Sequence, residues 1–181
     1  MTSRATRAAQ CAAALIAACC LLGCADAQPD GGTITRVQRV VSGHTLEVLL
    51  PERQPALRAR IRLIGIEAPD GRQQPWGPAA RARLSKLVGG KRGERQVRLS
   101  ADVTERDRFG RRLAYVWKAG TLLNQRLVEH GHALAIERAP NTRYSERLAH
   151  AQAYARILGR GIWDTAQPLR KRPGAKRARE R

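Results

Sequence analysis

Ala56-Leu57-Arg58-Ala59-Arg60-Ile61-Arg62-Leu63-Ile64-Gly65-Ile66 has only one sensible way to bury itself. Leu57, Ala59, Ile61 and Leu63 alternate with Arg58, Arg60, Arg62 and Ile64, the period of two of a half-buried strand with its cations on one face. Pro69 and Asp70-Gly71 end it. Upstream, Thr33–Val41 and Thr45–Leu50 are β-branched and alternating, parted by the turn Ser42-Gly43. Downstream, Gln96–Ala101 and Arg112–Lys118 read as strands around the loop Asp107-Arg108-Phe109-Gly110. Three helices fit the remainder. Pro78–Val88 sets Ala79, Ala82, Leu84, Leu87 and Val88 on a stripe and stops at Gly89-Gly90. Leu123–His130 is closed by Gly131, and Tyr144–Leu158 carries Leu148, Ala151, Ala155 and Leu158. Five strands with glycine-rich corners and about three α-helices predict an α+β protein built on a small closed β-barrel.

Around this body the chain is strongly cationic. Its 181 residues carry 34 Lys+Arg against 15 Asp+Glu, a formal charge of +19, and 29 of the cations are arginine. Such an excess favours polyanionic partners: nucleic acid, anionic lipid or phosphate-rich glycan. A hydrophobic content of 43% allows a core and excludes a wholly disordered chain. The length and the single short apolar run exclude a multi-domain enzyme and a multi-span membrane protein.

All four cysteines (Cys11, Cys19, Cys20 and Cys24) fall in the first 24 residues, so they cannot staple the body. Arg4 and Arg7, the apolar run Cys11–Leu22 and the small residues that follow read as a secretory signal over 1–23. Leu21-Leu22-Gly23-Cys24 resembles a bacterial lipobox, with Cys24 the residue to be acylated; Ala25-Asp26-Ala27 offers an ordinary cleavage site instead. The expected location is the bacterial cell envelope, lipid-anchored in the periplasm or soluble there. Residues 24–32 read as a linker, 33–167 as the domain, and 168–181, with seven cations and one anion, as a basic disordered tail.

Five motifs in order carry a resemblance: Ile61-Arg62-Leu63-Ile64-Gly65-Ile66-Glu67-Ala68-Pro69-Asp70; Gln74-Pro75-Trp76-Gly77; Asp107-Arg108-Phe109-Gly110-Arg111-Arg112-Leu113-Ala114-Tyr115-Val116; Asn124-Gln125-Arg126-Leu127-Val128-Glu129-His130-Gly131; and Gly159-Arg160-Gly161-Ile162-Trp163. Over residues 33–164 the chain resembles the staphylococcal nuclease-like (thermonuclease) family. The resemblance implies a five-stranded OB-fold with three helices and a phosphodiesterase that cuts DNA or RNA with calcium. It also matches Arg62 and Arg111 to the family's two catalytic arginines. Planar, permanently charged forks suit the charge that grows on a phosphorane.

The acidic positions depart from that pattern. The family's first turn is Asp-Gly-Asp-Thr, its second Asp binding calcium, and here it is Ser42-Gly43-His44-Thr45. The second metal carboxylate is Glu67 in place of Asp, and the general base is Asp70 in place of Glu. Calcium prefers six to eight oxygens, whereas imidazole with carboxylate suits Mn2+ or Zn2+. His44 and Glu67 are therefore candidate ligands for a transition metal, with His44 as a hydrogen-bonding turn residue the alternative. The tyrosines that the family places after its second helix are missing from Ala133–Arg138. His130 and His132 read as helix-end residues, and Trp76, Trp117 and Trp163 as packing. The sequence thus predicts a monomeric, metal-dependent nuclease of low sequence specificity. A catalytically degenerate module that binds nucleic acid or another polyanion is the alternative, and a structural envelope protein meeting anionic lipid a third.

Overall fold

A computed structural model describes residues 31–51, 57–91 and 95–174. The signal, Cys24, most of the linker and residues 175–181 lie outside the described residues. Among the described residues there are eight strands: β1 Thr33–Ser42, β2 Thr45–Leu50, β3 Leu57–Leu63, β4 Ile66–Glu67, β5 Gln96–Ser100, β6 Arg112–Lys118, β7 Thr121–Leu122 and β8 Leu134–Ala135. The same residues form three α-helices, α1 Trp76–Val88, α2 Leu123–Glu129 and α3 Ser145–Ile157, and a 3-10 turn at Gly161–Trp163. The main sheet runs β3-β2-β1-β5-β6-β7, and β3 also pairs in parallel with β6 through Ile61, Arg62 and Leu63 against Arg112, Leu113 and Ala114. That pairing closes β1, β2, β3, β5 and β6 into a five-stranded mixed barrel, the OB-fold expected from the sequence.

The alternation read in β3 is only partly kept: Leu57, expected inward, is exposed at the barrel rim, and Arg62 is buried between Ile61 and Leu63. Gly65 has φ +74°, and a Cβ there would lie 2.5 Å from Leu148 Cδ1, so a residue without a side chain turns the strand away. The chain then continues as β4, whose Ile66 and Glu67 pair with Ala135 and Leu134 of β8. Val37, Leu46, Val48, Ile61, Leu63 and Val116 fill the barrel, and Leu84, Val88, Leu127, Val128 and Leu148 of the helices cap it. Each such side chain contributes about 1.5–3 kcal/mol on burial. The buried stripe of α1 is Gly77, Ala80, Leu84 and Val88, while Ala82 is exposed, so the expected Ala79 and Ala82 are corrected to Ala80. The true stripe follows i, i+3, i+4 back from Leu84, and helix formation starts at Trp76 because Pro78 sits in the first turn, where no intrahelical N–H is required. Leu158, expected on the core face of α3, lies past the helix end and is 47% exposed.

One polar pin and one aromatic cluster fix the barrel end. Asn124 is fully buried; its Oδ1 accepts from Val116 N at 3.0 Å and its Nδ2 donates to the Ile64 carbonyl at 2.7 Å. It therefore ties the end of β3 to β6. Tyr115 and Trp117 are buried against Tyr144, with the two tyrosine rings edge-on at 4.6 Å. Residues 168–174, the start of the stretch read as a disordered tail, are largely exposed but tied to the body. Leu169 N donates to the Ile162 carbonyl and Pro173 is buried.

Candidate active site

Arg62 sits where β3 stops, and the chain that follows wraps around its guanidinium. Nη1 donates to the Leu63 carbonyl at 2.9 Å, and Nη2 donates to the Ile66 carbonyl at 2.8 Å and to Glu67 Oε2 at 2.9 Å. The residue is 8% exposed. Burial lowers its pKa to about 10, Glu67 opposing the shift and Arg111 and Arg138 adding to it, so the group stays charged at neutral pH. Of its five N–H donors, two have no partner among the described residues and are already immobilised.

Glu67 is held in place by the β4–β8 pairing, and cations surround it. Besides Arg62, its Oε2 lies 3.6 Å from Arg138 Nη2, while Oε1 lies 3.9 Å from His44 Nδ1. His44 comes from the β1–β2 turn, which is pressed onto α1. A Cβ on Gly43 would meet Ala80 Cβ at 2.6 Å and Ala68 Cβ at 2.8 Å, so only glycine lets the turn approach this closely. In that position His44 Nδ1 accepts a hydrogen bond from Ala68 N at 3.1 Å. The accepting nitrogen carries no proton, so the ring proton is on Nε2. Burial, then the charges of Arg62 and Arg111, push the His44 pKa down to about 3. The imidazole is neutral, and its approach to Glu67 is not an ion pair.

Arg111 faces the same space from the loop before β6, near enough to depress both His44 and Arg62. Its Nε donates to Asp107 Oδ2 at 2.6 Å and its backbone N to Oδ1 at 3.0 Å. Burial works against the charged form of Asp107. The hydrogen bonds from Arg111 and from Phe109 N outweigh it and hold the carboxyl below its ordinary range. Asp107 is thus the clamp of Arg111. Its place in Asp107-Arg108-Phe109-Gly110 marks a turn in the sequence, but not that role.

Arg138 has no comparable signal in the sequence. A turn positions it: Asn141 N donates to the Arg138 carbonyl at 3.1 Å, and the buried Asn141 side chain exchanges hydrogen bonds of 2.7 and 2.8 Å with the Thr104 backbone. The Arg138 guanidinium is largely exposed and adjoins Glu67.

Asp70, three residues beyond Glu67, is not joined to this cluster. Its Oδ1 accepts from Arg72 N at 2.8 Å and its own N donates to Gln73 Oε1, closing a small exposed loop. Among the described residues it makes no hydrogen bond or ion pair with Arg62, Arg111, His44 or Glu67. A strap formed by residues 164–174 braces that loop. Trp76 Nε1 donates to the Gln167 carbonyl at 3.1 Å and Gln73 Nε2 to the Lys171 carbonyl at 2.7 Å. The strap then reaches Glu67, where a Cβ on Gly174 would lie 3.3 Å from the carboxyl carbon.

These residues do not fit a divalent cation as arranged. The Nδ1 lone pair of His44 is used by Ala68, and Nε2 carries the proton. Glu67 is bonded to one guanidinium and adjoins a second. No group of three or more His, Cys, Asp or Glu assembles among the described residues. Calcium needs six to eight oxygens, and Mn2+ or Zn2+ a free imidazole lone pair. His44 and Glu67, expected as metal ligands, are here a hydrogen-bond acceptor and an arginine partner. Two guanidiniums on one engaged carboxylate, with Arg111 acting on the same space, suit an oxyanion instead.

Similarity to known proteins agrees with that chemistry. The family described as staphylococcal nuclease homologue matches residues 60–165. Thermonuclease from Staphylococcus hyicus is 35% identical over 133 residues, 71% of this chain and 74% of that protein. Thermonuclease from Staphylococcus intermedius is 32% identical over the same shares of each chain. An uncharacterized endonuclease from Escherichia coli O157:H7 is 34% identical over 135 residues, 74% of this chain and 79% of that protein. From its barrel, its paired Arg62 and Arg111 and these matches, the chain belongs to the staphylococcal nuclease homologue family.

Proposed function

We infer that this protein is a nuclease of low sequence specificity that holds DNA or RNA by its backbone phosphates and hydrolyses the phosphodiester bond. The observation that supports this reading is the charge of the site: Arg62 engages Glu67, Arg138 adjoins it, and Arg111 acts on Arg62 and His44 from the loop before β6. A phosphodiester supplies the missing negative charge, and the phosphorane formed on attack carries more of it. Fixed donors therefore favour the transition state over the bound substrate. Arg62 offers its two remaining N–H groups without losing rotamer freedom, and Arg111, clamped by Asp107, offers its free fork. Glu67 sets the orientation of Arg62. Asp70 is the carboxylate left to take the proton of the attacking water. Glu67 and Asp107 are each bound to an arginine, whereas Asp70 Oδ2 makes no hydrogen bond among the described residues. The family's calcium is given no step here, because its expected ligands are otherwise engaged.

The test is digestion of single-stranded DNA, plasmid and RNA by the purified chain, with chelator and with Ca2+, Mg2+, Mn2+ or Zn2+. Arg111→Ala should lower the rate by about 10²–10³, the usual cost of one transition-state donor. The engaged state of His44 and Glu67 favours a second reading, a module that grips polynucleotide without cutting it. Intact oligonucleotide binding with no cleavage under any of these conditions would establish that reading and sink hydrolysis. Export to the cell envelope rests on the signal over 1–23, with acylation at Cys24 as the anchor. Cys24→Ser should move the protein from the membrane fraction to the soluble one.

A further inference from the structure

Helix α3 buries Leu148, Ala151 and Ala155, and its last turn then leaves three large apolar side chains in water. Tyr154, Ile157 and Leu158 are 47%, 82% and 47% exposed, and Ile157 is the most exposed large apolar side chain among the described residues. Ile157 and Leu158 follow Tyr154 by three and four positions, so the three share roughly 100° of the helix circumference and form one patch. Gly159, at φ +58°, turns the chain away just beyond them.

Arginines flank this patch, and two of them are seated over aromatic rings at its edge. The guanidinium carbon of Arg160 lies 4.8 Å from the Tyr154 ring centroid, and that of Arg156 lies 4.3 Å from the Trp163 centroid. Arg156 and Arg172 also border a groove of about 320 Å³ that Trp163 and Leu169 line. On the side of α2, Arg126 and Arg147 share a cleft with Tyr154, and the acids there are Glu129 and Glu146. Glu129 is already paired with Arg126 at 2.9 Å. The surroundings of the patch are therefore cationic.

A contiguous apolar patch rimmed by polar groups marks a contact surface, and its chemistry selects the occupant. A polynucleotide would use the cations but not the patch: Arg160 already lies over the Tyr154 ring, and aliphatic side chains give a base no flat face to stack on. A second copy joined about a two-fold axis would set these arginines against themselves, on a chain of formal charge +19. An anionic bilayer satisfies both components. Aliphatic side chains sink into the acyl boundary while guanidiniums stay level with the phosphates.

We propose that the C-terminal end of α3 is a docking surface for an anionic lipid bilayer, with Ile157 and Leu158 entering it and Arg156 and Arg160 meeting its headgroups. This surface is independent of the nuclease reading above. It holds the protein to a membrane by a helix tip, whatever the barrel does with a polynucleotide.

The test reads contact at a single position. Ile157→Trp in the full chain places a fluorophore on the patch, and vesicles with brominated acyl chains quench it only on contact. With brominated phosphatidylglycerol its emission should shift to the blue and lose more intensity than that of the wild type, whose own tryptophans set the baseline. Brominated phosphatidylcholine should add no such loss. Val103→Trp, on an exposed loop tied through Asp102 to Arg143 and so about 18 Å of helix away, should show none with either lipid. Adding Arg156→Gln/Arg160→Gln to Ile157→Trp should weaken the phosphatidylglycerol quenching, each arginine near an anionic surface being worth about fivefold in binding. These variants alter surface side chains, and melting curves that match the wild type confirm their folding. No extra quenching of Ile157→Trp by phosphatidylglycerol, or an equal gain at Val103→Trp, overturns the proposal. So does a wild-type chain that sediments as a dimer and becomes a monomer with Ile157→Ser, because the patch then faces a second copy. Loss of oligonucleotide binding by Ile157→Ser also overturns it, giving the patch to the polynucleotide.

Discussion

His44→Asp tests whether this site is built for an anion or a cation. In the wild type, Nδ1 lies 3.9 Å from Glu67 Oε1 and accepts from Ala68 N. A carboxylate introduced there faces Glu67 at about 4 Å, a repulsion of about 4 kcal/mol at an effective dielectric near 20. Arg62 and Arg111 offset part of this, so the variant should melt below the wild type in chelator. A divalent ion between the two carboxylates reverses the sign. At a calcium concentration a hundred times the dissociation constant, binding adds about 2.7 kcal/mol, or roughly 5–10 °C in Tm for a domain of this size. The wild type has a neutral imidazole and a carboxylate already held by Arg62, so calcium should move its Tm by less than about 2 °C. The assay is a thermal melt of both proteins in EDTA and in calcium. Equal calcium stabilisation of the two would refute the reasoning, because it would mean that the wild-type donors are free to bind a cation.

Three further outcomes follow from the same structure. The pKa values of His44 and His132 are lowered to about 3 and about 4, burial being the largest cause in each, so the unfolded chain binds protons that the folded one refuses. Stability present above pH 6.5 should therefore fall as the pH drops towards 4, at about 1.4 kcal/mol per pH unit for each group; urea midpoints that stay flat between pH 7 and 5 would contradict it. Asn124→Ala strands the buried Val116 N–H and Ile64 carbonyl, at about 1–3 kcal/mol each, and should lower the Tm by several degrees; a melt within a degree of the wild type would show that the pin does not carry the barrel end. Truncation after Gly174 removes Lys176, Arg177, Arg179 and Arg181 and should weaken polynucleotide binding alike for every sequence. Truncation after Gln167 also unties Gln73 from Lys171, so it should lower cleavage as well; equal cleavage by the two truncated chains would separate the strap from the site.

The barrel is legible in the sequence because half-buried strands write their period directly, as Leu57-Arg58-Ala59-Arg60-Ile61-Arg62-Leu63 does. The parallel closure of β3 on β6 is not legible, since those strands stand some fifty residues apart and nothing local encodes their register. Ala80 and Ala82 stand about 200° apart around the helix, on nearly opposite faces, and alanine is small enough for either, so the side that faces the core is not signalled. In the site, Arg62 and Arg111 can be found because they stand inside motifs. Arg138 cannot, being one arginine among 29, placed by a turn that depends on Asn141 meeting Thr104 far away in sequence. The strap was hidden by composition, because seven cations in fourteen residues read as a chain with nothing to bury. Its order comes from backbone carbonyls that accept from Trp76 and Gln73, and any sequence can supply those.

That strap also orders events in time. A ribosome makes the whole barrel, all three helices and every arginine of the site before it reaches residues 164–174. A nascent chain can therefore close its barrel while the loop carrying Asp70 is still unbraced and Glu67 is uncovered on one side. For a member of a nuclease family, the contacts that brace the Asp70 loop wait on residues made after every side chain they hold. Premature termination before residue 164 would leave the barrel without the strap's contacts to Gln73, Trp76 and Glu67.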